Sequence, residues 1–121
     1  MAISRILVVD DSPTERFFLS ELLVKNGYLV SMAESGEEAV AQAKQTLPDL
    51  IVMDVVMPGM NGYQATRMIT KEEATKHIPV IMCTTKGQET DKVWGMRQGA
   101  KAYLVKPVKP EDLLSQIKAL D

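Results

Sequence analysis

Four apolar runs in this chain end in residues that can bind or react. RILVVD (5–10) ends in a carboxylate, Asp10, and Asp11 follows it. DLIVMD (49–54) ends in Asp54, with the turn Pro58-Gly59 close behind. PVIMCT (79–84) ends in Thr84, with Thr85 next, and AYLVKP (102–107) ends in Lys106 and Pro107. Taken singly, each has a plain reading. Asp10 and Asp11 favour the N-terminus of a following helix, Asp54 is a solvated turn residue, Thr84 is a β-branched strand residue, and Lys106 is a surface lysine. Taken together they are a site. Three packed carboxylates repel one another, and one takes up a proton unless a cation is present. A hard divalent cation with oxygen ligands resolves the conflict, and Mg²⁺ typically takes one or two carboxylates together with waters and phosphate oxygens. An ammonium and a hydroxyl across the pocket suit a phosphoryl group. A carboxylate so placed can act as nucleophile and form an aspartyl phosphate. Asp54 is the best candidate, because it stands alone at its run's end with a turn clearing space after it.

Convergence requires the right scaffold. The apolar runs, including YLVSMA (28–33), are mostly continuous rather than alternating, which suits strands covered on both faces of a parallel sheet. The segments between them read as helices. SPTERFFLSELLVKNG carries Phe18, Leu19, Leu22 and Leu23 at spacings of three and four, with Ser12 as cap, Pro13 at the first helical position, Glu15 three residues after the cap and Gly27 as stop. SGEEAVAQAKQTLP repeats the capping pattern with Ser35 and Glu38, and Pro48 follows its end. Residues 62–70 and 88–98 are shorter helix candidates, and PEDLLSQIKAL carries Leu113, Leu114, Ile117 and Leu120 on one face behind an acidic first turn. Five βα units predict an α/β fold: an open five-stranded parallel sheet with helices on both faces and right-handed crossovers. The expected strand order is the flavodoxin-like 2-1-3-4-5, since a closed (β/α)₈ barrel needs about twice the length. In that order strands 1 and 3 flank the point where strand order reverses, and sites form there, outside the carboxyl ends of the strands.

Composition narrows the function. The 121 residues make one ordinary domain, large enough for a core without disulfides or structural metal. A formal net charge of −2 gives no broad attraction to nucleic acid or acidic membranes. Cys83 is the single cysteine, so no internal disulfide forms, and it reads as buried strand packing. The N-terminal apolar stretch is too short for a signal peptide and no run approaches a membrane span of about 20 residues. A cytoplasmic protein without membrane insertion is expected. His77 reads as a solvated loop residue, KEEATKH (71–77) as a solvated loop or helix end, and Trp94 either as core packing or as part of an output surface.

At the residues of the site the sequence resembles the receiver domains of two-component response regulators, the family of the chemotaxis protein CheY, which is itself a standard example of the 2-1-3-4-5 order. The likeness runs through ILVVDDS, LIVMDVVMPGMNG, PVIMCTT and GAKAYLVKP, in order and over the whole chain. DDSPTE and TTKGQETDKVWGMRQGAKAYLVKPV look most like the PilH-type regulators of type IV pilus twitching motility. The resemblance implies that Asp54 is the phosphoacceptor. It implies that Asp11, Asp54 and the Val56 carbonyl ligate Mg²⁺, with Asp10 acting mainly through water. Lys106 pairs with the phosphoryl group, and the Lys106–Pro107 bond is cis. Thr84 moves toward the phosphoryl group on activation and Tyr103 turns inward behind it. The surface of the fourth helix, fifth strand and fifth helix then changes its affinity for partners. A sensor histidine kinase is the implied donor, and residues 1–121 form a single receiver domain with no output domain. Output is therefore contact with a downstream motility protein, or consumption of phosphate as a sink, without nucleic acid. The chain departs from the family at Thr85, often alanine, and at Val56, often polar. Val56 cannot position an attacking water, and Lys86 can reach over the site, so both are expected to slow loss of the phosphoryl group.

Two other functions compete. A haloacid-dehalogenase-like phosphatase also uses an aspartyl nucleophile and Mg²⁺, but places it in an Asp-x-Asp pattern after strand 1, where this chain has Asp10-Asp11. A flavodoxin-like flavin domain needs a Ser/Thr/Gly-rich phosphate loop at the same place, where these carboxylates would repel FMN.

Overall fold

The computed structural model describes residues 3–121. Strands and helices alternate throughout: β1 (Arg5–Val9), α1 (Pro13–Lys25), β2 (Leu29–Ala33), α2 (Gly36–Thr46), β3 (Leu50–Met53), α3 (Gly62–Lys71), β4 (Val80–Thr84), α4 (Glu89–Arg97), β5 (Ala102–Val105) and α5 (Pro110–Leu120). The strands form one parallel sheet in the order β2-β1-β3-β4-β5. Both the fold class and the strand order are those expected.

Alternation along the central strands divides the core in two. Leu7, Val9, Ile51, Met53 and Val80 face Ala39, Val40 and Ala43 of α2 and Ala65 and Ile69 of α3. Ile6, Val8, Leu50, Val52, Ile81 and Cys83 face Leu19 and Leu23 of α1 and Leu113 and Ile117 of α5. Leu113 and Ile117 are fully buried, and each such side chain is worth roughly 1.5–3 kcal/mol of transfer free energy. Val55, Tyr63, Met82 and Ala100 form a smaller cluster beneath α4, with Tyr103 packed on it. The continuous-run reading holds for β3 and β4, buried at every position. It fails for β2: as an edge strand it leaves Leu29 and Met32 exposed.

The helix caps follow the sequence signals, with two instructive differences. Ser12 and Ser35 accept hydrogen bonds from the backbone N–H groups of Glu15 and Glu38, as a cap should. Neither glutamate returns the bond to its cap residue. Glu38 accepts from the Glu34 N–H at 2.6 Å, and Glu15 turns to Lys106. The full reciprocal box appears instead at Asn61 and Gln64, which starts α3. Helix α1 ends at Lys25 with Asn26 as cap, one residue before Gly27. Helix α2 closes on Leu47, in a left-handed conformation at φ 46° ahead of Pro48.

The ladder aligns the strand ends. Val9 and Met53 are register partners, so Asp10 and Asp54 leave the sheet side by side. Thr84 and Val105 are partners too, which brings Thr84 and Lys106 to the same rim. Two further backbone bonds hold these exits, Asp54 N–H to the Val9 carbonyl at 2.9 Å and Lys106 N–H to the Thr84 carbonyl at 2.8 Å.

Candidate functional site

Asp10, Asp11 and Asp54 meet above the ends of β1 and β3. One carboxylate oxygen from each lies within 4.8 Å of the others. Asp10 is buried, Asp54 is 7% exposed, and Asp11 faces solvent. Burial, and after it the neighbouring charge of Asp10, pushes the Asp54 carboxyl up to about 6 despite the opposing pull of Lys106. Asp54 Oδ1 accepts the Val55 N–H at 2.8 Å. Its Oδ2 has no hydrogen-bond partner among the described residues.

The three acids do not have equal freedom. Asp10 has both oxygens engaged, Oδ1 by the Ser12 N–H at 2.9 Å and Oδ2 by the Lys106 ammonium at 2.7 Å. Its backbone carbonyl accepts from Arg16 at 2.7 Å. Asp11 and Asp54 are left with open oxygen positions. The donor set is all carboxylate, with neither Cys nor His, so it fits a hard divalent cation and not a thiophilic one.

Lys106 crosses the site from the end of β5. Its Nζ lies 2.7 Å from Asp10, 3.2 Å from Glu15 and 3.7 Å from Asp54, with only 12% of its side chain exposed. Burial alone would lower the affinity of this ammonium for its proton. The hydrogen bond to Asp10 and the charges of Asp54 and Asp10 outweigh it and shift the group upward, so it stays charged. The Lys106–Pro107 peptide is cis.

Thr84 is buried, and its Oγ1 accepts the Lys86 N–H at 3.2 Å. That leaves the threonine's own proton available to a ligand. Thr85 and Val56 are exposed at the rim. Lys86 does not reach across the site as anticipated. Its ammonium instead faces the Asp91 carboxylate in the first turn of α4, at 3.8 Å.

The turn after Asp54 is closed by Gly62, where α3 runs into the strand end. A Cβ at Gly62 would sit 2.0 Å from the Asp54 carbonyl oxygen. Only glycine lets α3 begin there, with its N–H bonded to the Val55 carbonyl at 2.9 Å.

The family model of the response regulator receiver domain matches residues 6–118. The chain belongs to that family. It is 58% identical to the protein PilH of Pseudomonas aeruginosa, over 97% of each chain. It is 40% identical to the phosphate regulon transcriptional regulatory protein PhoB of Escherichia coli over 96% of this chain, which spans about half (51%) of that relative. Among solved structures, the Vibrio cholerae chemotaxis protein CheY4 superposes with a TM-score of 0.91 at 36% identity, covering 99% of this chain and 100% of that one. The receiver domain of a sensor histidine kinase from Pseudomonas aeruginosa superposes with a TM-score of 0.89 at 31% identity, covering 98% and 97%, and that structure has a magnesium ion coordinated in its active site cleft.

As a receiver domain, the chain brings Asp10, Asp11, Asp54, Val56, Thr84, Thr85 and Lys106 to one rim, with Tyr103 behind it beneath α4. The residues that the sequence did not announce are Glu15, Arg16, Tyr63 and Asp91. Glu15 was visible only as a helix-cap residue, and its bond to Lys106 spans β1–α1 and β5–α5 segments far apart in sequence. Cys83 is buried, its thiol pushed up to about 12 first by burial, which makes it an inert packing group. His77 is exposed. Trp94 is half exposed on α4, which decides against core packing. Within KEEATKH, Thr75 is buried, and its hydroxyl donates to the Ile69 carbonyl at 2.7 Å to close α3. Among the described residues no helix is long and apolar enough to cross a membrane.

Proposed function

We propose that the chain is a stand-alone response regulator that accepts a phosphoryl group on Asp54. The observation that carries this reading is the placement of Asp54 within reach of Asp10, Asp11 and Lys106 at the end of the central strand. The free Oδ2 of Asp54 is the natural nucleophile or metal contact, because Oδ1 is tied to the Val55 N–H. A sensor histidine kinase donates through its phosphohistidine: a P–O bond forms to Asp54, the P–N bond breaks, and the imidazole leaves. Asp11, Asp54 and the Val56 carbonyl would hold Mg²⁺, and Asp10, whose two oxygens are already engaged by the Ser12 N–H and Lys106, would act mainly through water. Bound Mg²⁺ supplies charge that neutralises the phosphoryl oxygens. Lys106 supplies the second positive charge, and Thr84 donates its hydroxyl proton to a phosphoryl oxygen. These roles describe self-catalysed phosphorylation and dephosphorylation of a switch, not turnover of an independent substrate.

Residues 1–121 act in this reading as one receiver domain, supported by the PilH relative, whose own length is 97% covered by the match. Signalling then runs through contacts with a downstream protein of type IV pilus twitching motility, or the chain drains phosphate from a shared kinase. The site is cytoplasmic, where kinase and Mg²⁺ are available.

The test is incubation with acetyl phosphate and Mg²⁺ followed by intact-mass measurement. Wild-type protein gains one phosphoryl group and Asp54→Asn gains none. An adduct of equal yield in the variant contradicts the reading. Steady turnover of a small phosphate ester would favour the phosphatase alternative instead.

A further inference from the structure

Two tyrosine hydroxyls meet beneath α4. Tyr63, in the first turn of α3, is buried; Tyr103, on β5, is half-buried; their phenolic oxygens lie 3.2 Å apart. Tyr103 donates to the Lys86 carbonyl at 2.7 Å. The single proton of Tyr63 is then left to serve the Tyr103 oxygen and the Asp91 carbonyl, also at 3.2 Å. Lys86 continues the chain in two directions. Its N–H donates to Thr84 Oγ1, and its ammonium faces the Asp91 carboxylate, which also accepts the Gln88 N–H at the head of α4. The contacts close a ring through α3, β5, the β4–α4 loop and α4. Gly95 admits the Tyr103 ring to this ring of contacts, since a Cβ there would come within 2.7 Å of the phenyl carbon Cδ2.

We propose that Tyr63 is a positioning residue for the phosphoryl switch. Its hydroxyl latches Tyr103 under α4 and, through Lys86, fixes where Thr84 holds its oxygen. The proposal rests on the reading of Asp54 as phosphoacceptor. Packing alone does not ask for a hydroxyl at position 63, because phenylalanine would fill the same cluster of Val55, Met82 and Ala100. The Tyr63 hydroxyl brings the proton that the Tyr103 oxygen and the Asp91 carbonyl share, and phenylalanine would leave Tyr103 without that tie. Thr84 offers its proton to a phosphoryl oxygen only from the position that the Lys86 segment dictates. That segment is pinned at its carbonyl by Tyr103, and Tyr103 is pinned by Tyr63. The latched arrangement is therefore the one that accepts the phosphoryl group, and losing the latch lowers its population.

Tyr63→Phe, Tyr103→Phe and the double variant test this, with beryllium fluoride and Mg²⁺ as the phosphoryl mimic and Trp94 emission as the readout. Loss of one neutral hydrogen bond shifts such an equilibrium by about 3- to 10-fold. Each single variant is expected to bind the mimic that much more weakly. The double variant is expected to be no worse than the weaker single, because both act through one shared bond. A purely structural role would lower the urea midpoint while leaving affinity alone, and singles that multiply in the double would break the proposed chain. A second readout needs no ligand. Hydrogen exchange over residues 85–92 is expected to speed up in Tyr63→Phe by a similar factor, with β1 and β3 unchanged. Unchanged affinity or unchanged exchange overturns the latch. If wild-type protein shows no Mg²⁺-dependent response to the mimic, the Asp54 reading falls, and the exchange experiment alone then decides the latch.

Discussion

At the scale of single residues, Lys106 carries more of the site's balance than any other group. One ammonium faces Asp10, Glu15 and Asp54, so any phosphoryl group arriving at Asp54 competes with carboxylates that already hold it. Glu15 is the dispensable member of that set, partly exposed and outside the metal cluster. Glu15→Gln should therefore speed phosphorylation by acetyl phosphate about 2- to 5-fold, the range of a partly screened charge pair. A slower rate in a stopped-flow comparison would show that Glu15 positions Lys106 and does not compete for it. Asp54 makes a prediction about pH. Its carboxyl holds a proton to about 6 in the folded chain but only to 3.8 as the unperturbed group. Ionising it therefore costs stability: the cost is absent below pH 3.8, grows as pH rises toward 6 and is complete above. In chelator at pH 8, Asp54→Asn should unfold at higher urea than wild type, and the gap should close on acidification through that window. A gap that widened on acidification would reverse the assigned sign. Val56 adds a third test. It leaves the rim without a polar side chain, so Val56→Asn should hasten loss of the phosphoryl group, and an unchanged release rate would count against that role.

At the scale of elements, the helices and strands were legible because their signals are local. The Ser12-Pro13 start of α1, the period of α5 and the apolar runs of β3 and β4 each lie within one stretch of chain. What failed needed the neighbours. β2 reads as buried, yet an edge strand is covered on fewer sides. The capping glutamates Glu15 and Glu38 read as reciprocal, yet the Lys106 ammonium took the first and the Glu34 N–H the second. The start of α3 carries its own consequence. Because a Cβ on Gly62 would meet the Asp54 carbonyl at 2.0 Å, Gly62→Ala should push α3 away from the strand end. The expected cost is about 1–3 kcal/mol by urea denaturation, the usual range for overpacking, together with slower phosphorylation. A variant of wild-type stability would show that α3 can retreat freely.

At the scale of the whole molecule, alternation of apolar runs with helical segments was sufficient to predict a parallel sheet. The strand order drew on the resemblance as well as on the pattern. That order puts β1 beside β3 and β4 beside β5, so residues 44 positions apart, such as Asp10 and Asp54, become neighbours. The site was legible as a set of strand ends for this reason. The latch was not, because Tyr63 and Tyr103 lie 40 residues apart and neither ends an apolar run. A sheet built to gather three acids is strained electrostatically until a cation arrives. Added Mg²⁺ should raise the unfolding midpoint progressively with concentration, following mass action, and Asp11→Asn should blunt that rise. A flat response in wild-type protein would argue that the cluster does not hold the ion. Phosphoryl transfer to Asp54 itself is read directly by chemical trapping. Protein treated with acetyl phosphate and Mg²⁺ is reduced with borohydride, which converts an aspartyl phosphate to homoserine, and is then mapped by peptide mass spectrometry. Homoserine is expected at position 54 and nowhere else; homoserine at position 10 or 11, or none at all, would overturn the assignment of Asp54 as phosphoacceptor.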